Sequence, residues 1–283
     1  MNNYISLIDL FLIPIYFLII YLISNKIISN NNKIIDYKFF KKGLFLKFLG
    51  VFLFCILYLF YYGGGDTVNY FKGVKAIINL LIETPEFGIQ AIFNYGIGSK
   101  FWGVYNASTG YPPFYMWKDP NTFSVCRFTT FFYILGGGRF LITSILTATF
   151  SYIGIWKIYR LFNILYPGNQ KALAYLILFL PSLLFWGGGI MKDSYVLGAT
   201  CWITYNFFKI FIERDKILIN AIFFTINLLI ILNLKAYVAA SLIPGMVLWI
   251  NSFYLKKIKN PFLKTFIFPI FVLIFGFLGF YSF

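Results

Sequence analysis

The chain contains no histidine, only nine acidic residues against 24 basic ones, and three cysteines in 283 residues. The missing histidine excludes Ser-His-Asp triads, an imidazole general base and histidine metal sites. Cys55 and Cys201 lie in apolar runs and only Cys126 in a polar segment, so no disulfide framework emerges. Charge is also scarce: 12% of residues, about half the roughly 25% of a soluble domain. Apolar residues fill the place, at 60% hydrophobic and 23% aromatic. A globular domain of this size must still present a polar surface, so the surplus points to lipid as the solvent. The formal charge of +15 then fits Lys and Arg flanking membrane helices better than a nucleic-acid surface. Richness in Ile, Lys, Asn, Phe and Tyr suits an AT-rich, bacterial genome.

Apolar runs of about 20 residues are spanning candidates. They occur near 4–24, 44–62, 139–162, 171–187, 194–212, 218–234, 236–254 and 264–282. The first lacks a basic leader and is long enough to span, so it is expected to be a helix rather than a signal peptide. The last ends the chain without a polar tail, as in a fragment or a short natural terminus. The expected fold is an all-α, polytopic transmembrane bundle of about eight spans, one integral membrane domain over 1–283.

The charges give it a direction. Lys26, Lys33, Lys38, Lys41, Lys42 and Lys47 follow the first run; Lys157, Arg160 and Lys171 follow the third. Lys209, Arg214 and Lys216 follow the fifth; Lys256, Lys257, Lys259 and Lys264 follow the seventh. With eight alternating spans, these sixteen of the 24 basic residues fall on one side, which the positive-inside rule makes cytoplasmic. The opposite face receives residues 63–138 as a long extracytoplasmic loop. Within it, 67–82 and 122–135 suit helices lying in the interface, and 94–121 suits loop.

Three Gly-Gly-Gly triplets, Gly63–Gly65, Gly136–Gly138 and Gly187–Gly189, fall on that outer face, each followed closely by charge. Glycine ends helices, and it also lets the backbone turn and ligands approach. Asp66, after the first triplet, is expected to cap the following helix and is also a candidate general base. Asp193 and Ser194 are cap candidates for a later helix, with Asp193 a candidate acidic partner. Lys192 and Lys235 stand in short outer turns where the positive-inside rule predicts few cations; with Arg127 and Arg139 they are candidates for holding a lipid phosphate. Asp119 and Glu86 are acids without a spacing that assigns them a partner. Phe101, Trp102, Tyr105, Tyr111, Phe114, Tyr115 and Trp117 crowd the long loop. They suit interface anchoring, and their faces also suit a saccharide groove. Asn106-Ala107-Ser108 matches a glycosylation acceptor, expected to be unoccupied in a bacterial chain.

The layout of roughly residues 44–254 resembles the C-type membrane glycosyltransferases. The resemblance rests on a long outer segment after an early span, an aspartate (Asp66) at its start, and the later outer turn PSLLFWGGGIMKDSYVLG. It implies sugar transfer from a polyprenyl-phosphate-linked donor to an extracytoplasmic acceptor. Asp66 would act as base or substrate-positioning group, and Lys192, Arg139 and Lys235 would engage the lipid phosphate. The chain lacks an acidic neighbour directly beside Asp66 and a C-terminal periplasmic domain, both frequent in the family. No cofactor is expected, a divalent metal being unsupported. The expected partners are the bilayer and the lipid-linked sugar, not nucleic acid. A transporter or flippase for a lipid-linked or anionic solute, or a non-catalytic subunit of an envelope assembly, are the alternatives. Almost no mid-helix charge between 139 and 254 speaks against transport, with Pro181 and Pro244 as candidate helix breaks.

Overall fold

The computed structural model describes residues 4–31, 35–93 and 99–255. The expected span at 264–282, together with Lys33, Lys256, Lys257, Lys259 and Lys264, lies outside the described residues. Among the described residues all regular structure is helical. Four helical stretches are long and apolar enough to cross a membrane: Leu7–Ser29, Tyr37–Tyr61, Phe140–Leu165 and Ile217–Tyr254. The chain divides into two compact units, Met1–Gly198 and Ala199–Phe283.

In the first unit, α1 (Leu7–Ser29) and α2 (Phe40–Ile56, extended by a π-helical turn to Tyr61) run antiparallel. Phe17 meets Phe45, Phe48 and Phe52, and Tyr21, one turn further on, meets Phe45. The remainder of α1 stays exposed through Leu7, Phe11, Leu18 and Leu22, as expected where lipid takes the place of a core. α6 (Phe140–Leu165) is antiparallel to α2 in turn: Trp156 packs on Tyr37, and the Tyr152 hydroxyl donates to the Phe40 carbonyl. Hence α1 and α6 start at the same end, where Asp9 and Arg139 form an ion pair at 3.5 Å. The other end is basic. Arg160 donates to the Tyr37 hydroxyl, Lys41 lies over the Tyr21 ring, and Tyr159 donates to Gln170 O beside Lys171.

The two expected interfacial helices are α3 (Asp66–Glu83) and α5 (Pro120–Leu135), with α4 (Pro85–Phe93) between them. α3 is amphipathic: Tyr70, Val74, Ile77 and Leu80 are buried, while Lys72 and Lys75 are exposed. Gly73 lets α5 approach, since a methyl there would stand 2.6 Å from Cys126 Sγ. Single 3-10 turns at Ser99–Val104 and Phe114–Trp117 break up the rest.

Two expectations need correction. The run 171–187 is not one helix. α7 (Gln170–Leu173, with a π turn to Leu178) stops, Leu180 is extended (φ −65°, ψ 117°), and α8 restarts at Pro181 and ends at Trp186. Proline has no N–H to continue the ladder and disfavours helix at the residue before it. Lys47 is not in a basic connecting segment either. It is wholly buried inside α2, and its Nζ donates to Leu183 O of α8 at 2.6 Å.

The third glycine triplet serves this packing. Methyls at Gly187 and Gly189 would stand 2.5 Å from Lys47 Nζ and 2.0 Å from Phe54 Cε1. By contrast Gly63, Gly64 and Gly65 have φ of 64°, 143° and 103°, values that side chains resist. Small residues also set the crossing of α6 with α9 (Lys192–Phe208, extended by a π turn to Glu213). A methyl at Gly154 would lie 2.3 Å from Gly198 O, a backbone atom that cannot swing aside. Gly154→Ala is therefore expected to destabilise the protein by about 1–3 kcal/mol, read as a lower unfolding temperature in detergent. An unchanged temperature would contradict the crossing.

The second unit takes in the later part of α9 and α10 (Ile217–Leu255) around Ile203, Phe207, Ile231, Ala239 and Met246. α10 is two helices meeting at Lys235, whose backbone is non-helical (φ −147°, ψ 75°). The runs expected at 218–234 and 236–254 divide at that residue.

Candidate functional site

At the end of the first unit opposite its basic residues, the N-terminus of α5 meets that of α9. Asp119 caps α5: its Oδ1 accepts the backbone N–H groups of Asn121 and Thr122 at 3.0 and 3.1 Å. Its Oδ2 accepts the Thr122 hydroxyl and the Lys192 amine, the latter at 3.3 Å. Lys192 Nζ also donates to Thr122 Oγ1 at 2.6 Å. The ammonium has three protons to give and remains partly open to solvent.

α9 is held rigidly behind that lysine. Tyr195, fully buried, joins its hydroxyl to Thr129 of α5 at 2.7 Å and Thr147 of α6 at 3.3 Å. Ser194 Oγ donates to Gly189 O at 2.7 Å, tying the helix start to the glycine turn before it. Buried hydroxyls satisfied in this way fix helix rotation in a membrane, where no water offers an alternative partner.

Asp66 enters from α3. It does not cap that helix; Gly65 occupies the cap, without a side-chain bond, and Asp66 is the first helical residue. Its carboxylate is exposed and makes no ion pair among the described residues. Its field reaches the tyrosines around it. Burial first, then Asp66, pushes the Tyr115 hydroxyl up to about 12, against a hydrogen bond with Asn69. Tyr70 is also raised, by burial and then by Asp66, with a smaller contribution from Asp119. Tyr58 lies within electrostatic reach of both Asp66 and Asp193. Asp66 and Asp119 thus both act on Tyr70, and Asp119 in turn is bonded to Lys192.

The other sequence candidates are employed differently. Arg139 pairs with the buried Asp9, whose second oxygen accepts the Ser6 N–H. Arg127 is buried, donates to Ala91 O at 2.9 Å and lies over the Phe123 ring. Lys235 belongs to the second unit, at the break in α10. Glu86 accepts a hydrogen bond from Gln90. Asn106 and Ser108 both donate to Glu83, and the Asn106 side-chain oxygen Oδ1 accepts the backbone N–H groups of Ser108 and Thr109, so the acceptor motif is folded into a turn.

Comparison with known proteins finds no matching family model, no matching curated protein and no matching solved structure. The chemistry therefore rests on the residues themselves. Among the described residues no three Asp, Glu or Cys side chains stand close enough to share a metal ion.

Asp119 is the residue that sequence reasoning left unassigned. A cap signal was present in Asp119-Pro120, aspartate followed by proline at the first helical position; its partner 73 positions away carried no local signal. Burial alone would raise the Asp119 carboxyl. The Thr122 hydroxyl, the Thr122 N–H and Lys192 together outweigh it and hold the carboxyl below the usual carboxylate range. A depressed native value means that the link stabilises the fold fully above the unfolded carboxylate range and loses that contribution as pH falls through the native value. Acid titration is expected to release the α5–α9 junction before global unfolding. Fluorescence of Trp117, two residues from Asp119, reports it, and Asp119→Asn should remove the acid transition. A transition that persists in Asp119→Asn would assign it elsewhere.

Proposed function

We propose that this chain is a polytopic membrane glycosyltransferase that moves a sugar from a polyprenyl-phosphate-linked donor to an acceptor at the extracytoplasmic face of a bacterial cytoplasmic membrane. In this reading the basic end of the first unit faces the cytoplasm. The four long apolar stretches, the last counted twice because α10 divides at Lys235, with the broken α7–α8 pair, α9 and the run at 264–282, supply about eight crossings. The reading is carried by an exposed carboxylate, Asp66, without an ion pair among the described residues, and by the partly open cation Lys192, which this topology puts on the same face as Asp66.

The mechanism is a single displacement. The acceptor hydroxyl gives its proton to Asp66 as its oxygen bonds to the anomeric carbon. The bond from that carbon to the phosphate oxygen breaks, and the polyprenyl phosphate leaves with the electron pair. Asp119 and Thr122 hold Lys192 by two contacts, which leaves its third proton for the departing phosphate. The test is transfer of radiolabelled sugar from a polyprenyl phosphate by the full chain in proteoliposomes, with Asp66→Asn as the paired variant.

A second reading, transport of a lipid-linked or anionic solute, is favoured by one observation. Lys47 sits wholly buried within a spanning helix, against the broken α7–α8. Intramembrane ionisable groups beside interrupted helices are a feature of transporter sites.

A further inference from the structure

Beside the Asp119–Lys192 junction lies a cleft that the transferase mechanism leaves unused. Its walls are Trp102, Met116, Trp117, Pro120, Phe123 and Arg127, with Phe101 completing them. Trp102 and Trp117 stack at 5.4 Å between ring centroids, 12° from parallel, and Phe123 meets Trp102 edge-on at 4.8 Å. Although lined by large rings, the cleft is not a purely apolar space. The indole N–H groups of Trp102 and Trp117 are both buried and find no acceptor among the described residues. The same holds for the hydroxyl of Tyr105, whose ring stacks on Trp102. A buried N–H that gives up water and finds no acceptor is costly, so two of them on one cleft are unusual unless something arrives to accept.

We infer that this cleft is a saccharide subsite: it takes the hydroxyl-bearing edge of a sugar, through an oxygen that accepts from the Trp102 and Trp117 N–H groups. The chemistry is one-sided. Both orphan indoles are donors only and Arg127 is a cation, so the ligand must present acceptor oxygens. The space decides how much of it enters. The enclosed space of the cleft is about 10 Å³, on the order of a single water, room for one hydroxyl oxygen of a pyranose and not for the ring. The ring itself would remain at the mouth, where Phe114, exposed and 5.3 Å from Trp117, offers an aromatic face. The position also fits. Pro120 of the cleft wall follows Asp119 directly, so a sugar edge held there would place an attached phosphate toward Lys192. In that sense the inference rests on the transferase reading for its purpose, although binding is measurable without turnover.

The test is titration of the full chain in nanodiscs with methyl glucoside, methyl N-acetylglucosaminide and methyl glucuronide, followed by tryptophan fluorescence. Saturable binding of at least one, weakened fivefold or more by Trp117→Phe at unchanged unfolding temperature, supports the subsite. That variant keeps an aromatic ring on the stack and removes the pyrrole ring with its N–H, so the unfolding temperature serves as the control for lost packing. Trp102→Phe is the second arm, with the same expected loss. Absence of saturable binding of all three glycosides, or binding by both variants as tight as by the parent chain, overturns the subsite and leaves ordered water as the acceptor. The two readings separate cleanly. Glycoside binding that depends on Trp117, without any sugar transfer, keeps the subsite and removes the transferase. Transfer that depends on Asp66 but is indifferent to both tryptophan variants does the reverse.

Discussion

Asp66→Asn is expected to lower sugar transfer by about 10²–10⁴-fold, the range assigned to a positioned general base, with expression and unfolding temperature nearly unchanged. The substitution keeps shape and removes one negative charge. Its cost to stability is small because the side chain is exposed and makes no cap bond. What remains is the favourable placement of an acid in the first turn of α3, worth about 0.3–1 kcal/mol at an exposed site. A loss of activity of two or more decades cannot come from that. Asp66→Glu is expected to retain part of the rate, since the base survives one methylene out of place. Lys192→Met should act on the departing phosphate instead, lowering the rate with Asp66 intact. Full activity in Asp66→Asn would take Asp66 out of the chemistry. Equal loss of folding and activity would make it a structural residue.

The spans were legible where apolar length alone decides. The runs at 4–24, 44–62 and 139–162 each coincide with a long apolar helix, and the runs at 218–234 and 236–254 with the two halves of a fourth stretch. Length was not sufficient at 171–187, where Pro181 interrupts a run of adequate hydrophobicity. A hydropathy window averages across a backbone break. The same averaging misplaced Lys47. It stands five residues after Lys42 at the start of an apolar run, and only packing shows that Gly187 and Leu183 close over it. The site was half legible. Lys192 stood out in the sequence because it goes against the positive-inside expectation, and Asp66 because it follows a glycine triplet at the start of the long outer segment. Asp119 was not, because capping is a sufficient local reason for an aspartate before Pro120 and its bond to Lys192 crosses 73 positions. The glycine triplets looked alike in sequence and differ in cause. The first carries left-handed backbone, and the third makes room for Lys47 and Phe54.

Lys47 separates the two functional readings. α8 has only six residues, too few for its last carbonyls to find partners within the helix. Leu183 O is among those orphans, and Lys47 donates to it from the neighbouring α2. A basic group also suits the negative end of a helix dipole. Lys47→Ala removes the donor and the buried stem together, so it should cost about 2–5 kcal/mol and show as a marked fall in unfolding temperature. Lys47→Met retains most of the volume. Two effects then compete: an unsatisfied carbonyl costs about 1–3 kcal/mol, while removing a buried ionisable group returns part of that. Lys47→Met is therefore expected to be the milder variant by a clear margin. If Lys47 is a clamp on the broken helix, Lys47→Met transfers sugar within about twofold of the parent at a temperature where both are folded, since near-neutral packing changes leave a distant reaction untouched. If Lys47 is instead the binding group of a transport path, the same variant folds normally and solute flux in proteoliposomes collapses. A stable Lys47→Met chain that has lost flux, beside an Asp66→Asn chain that has kept it, would transfer the function from the outer patch to the interior of the membrane.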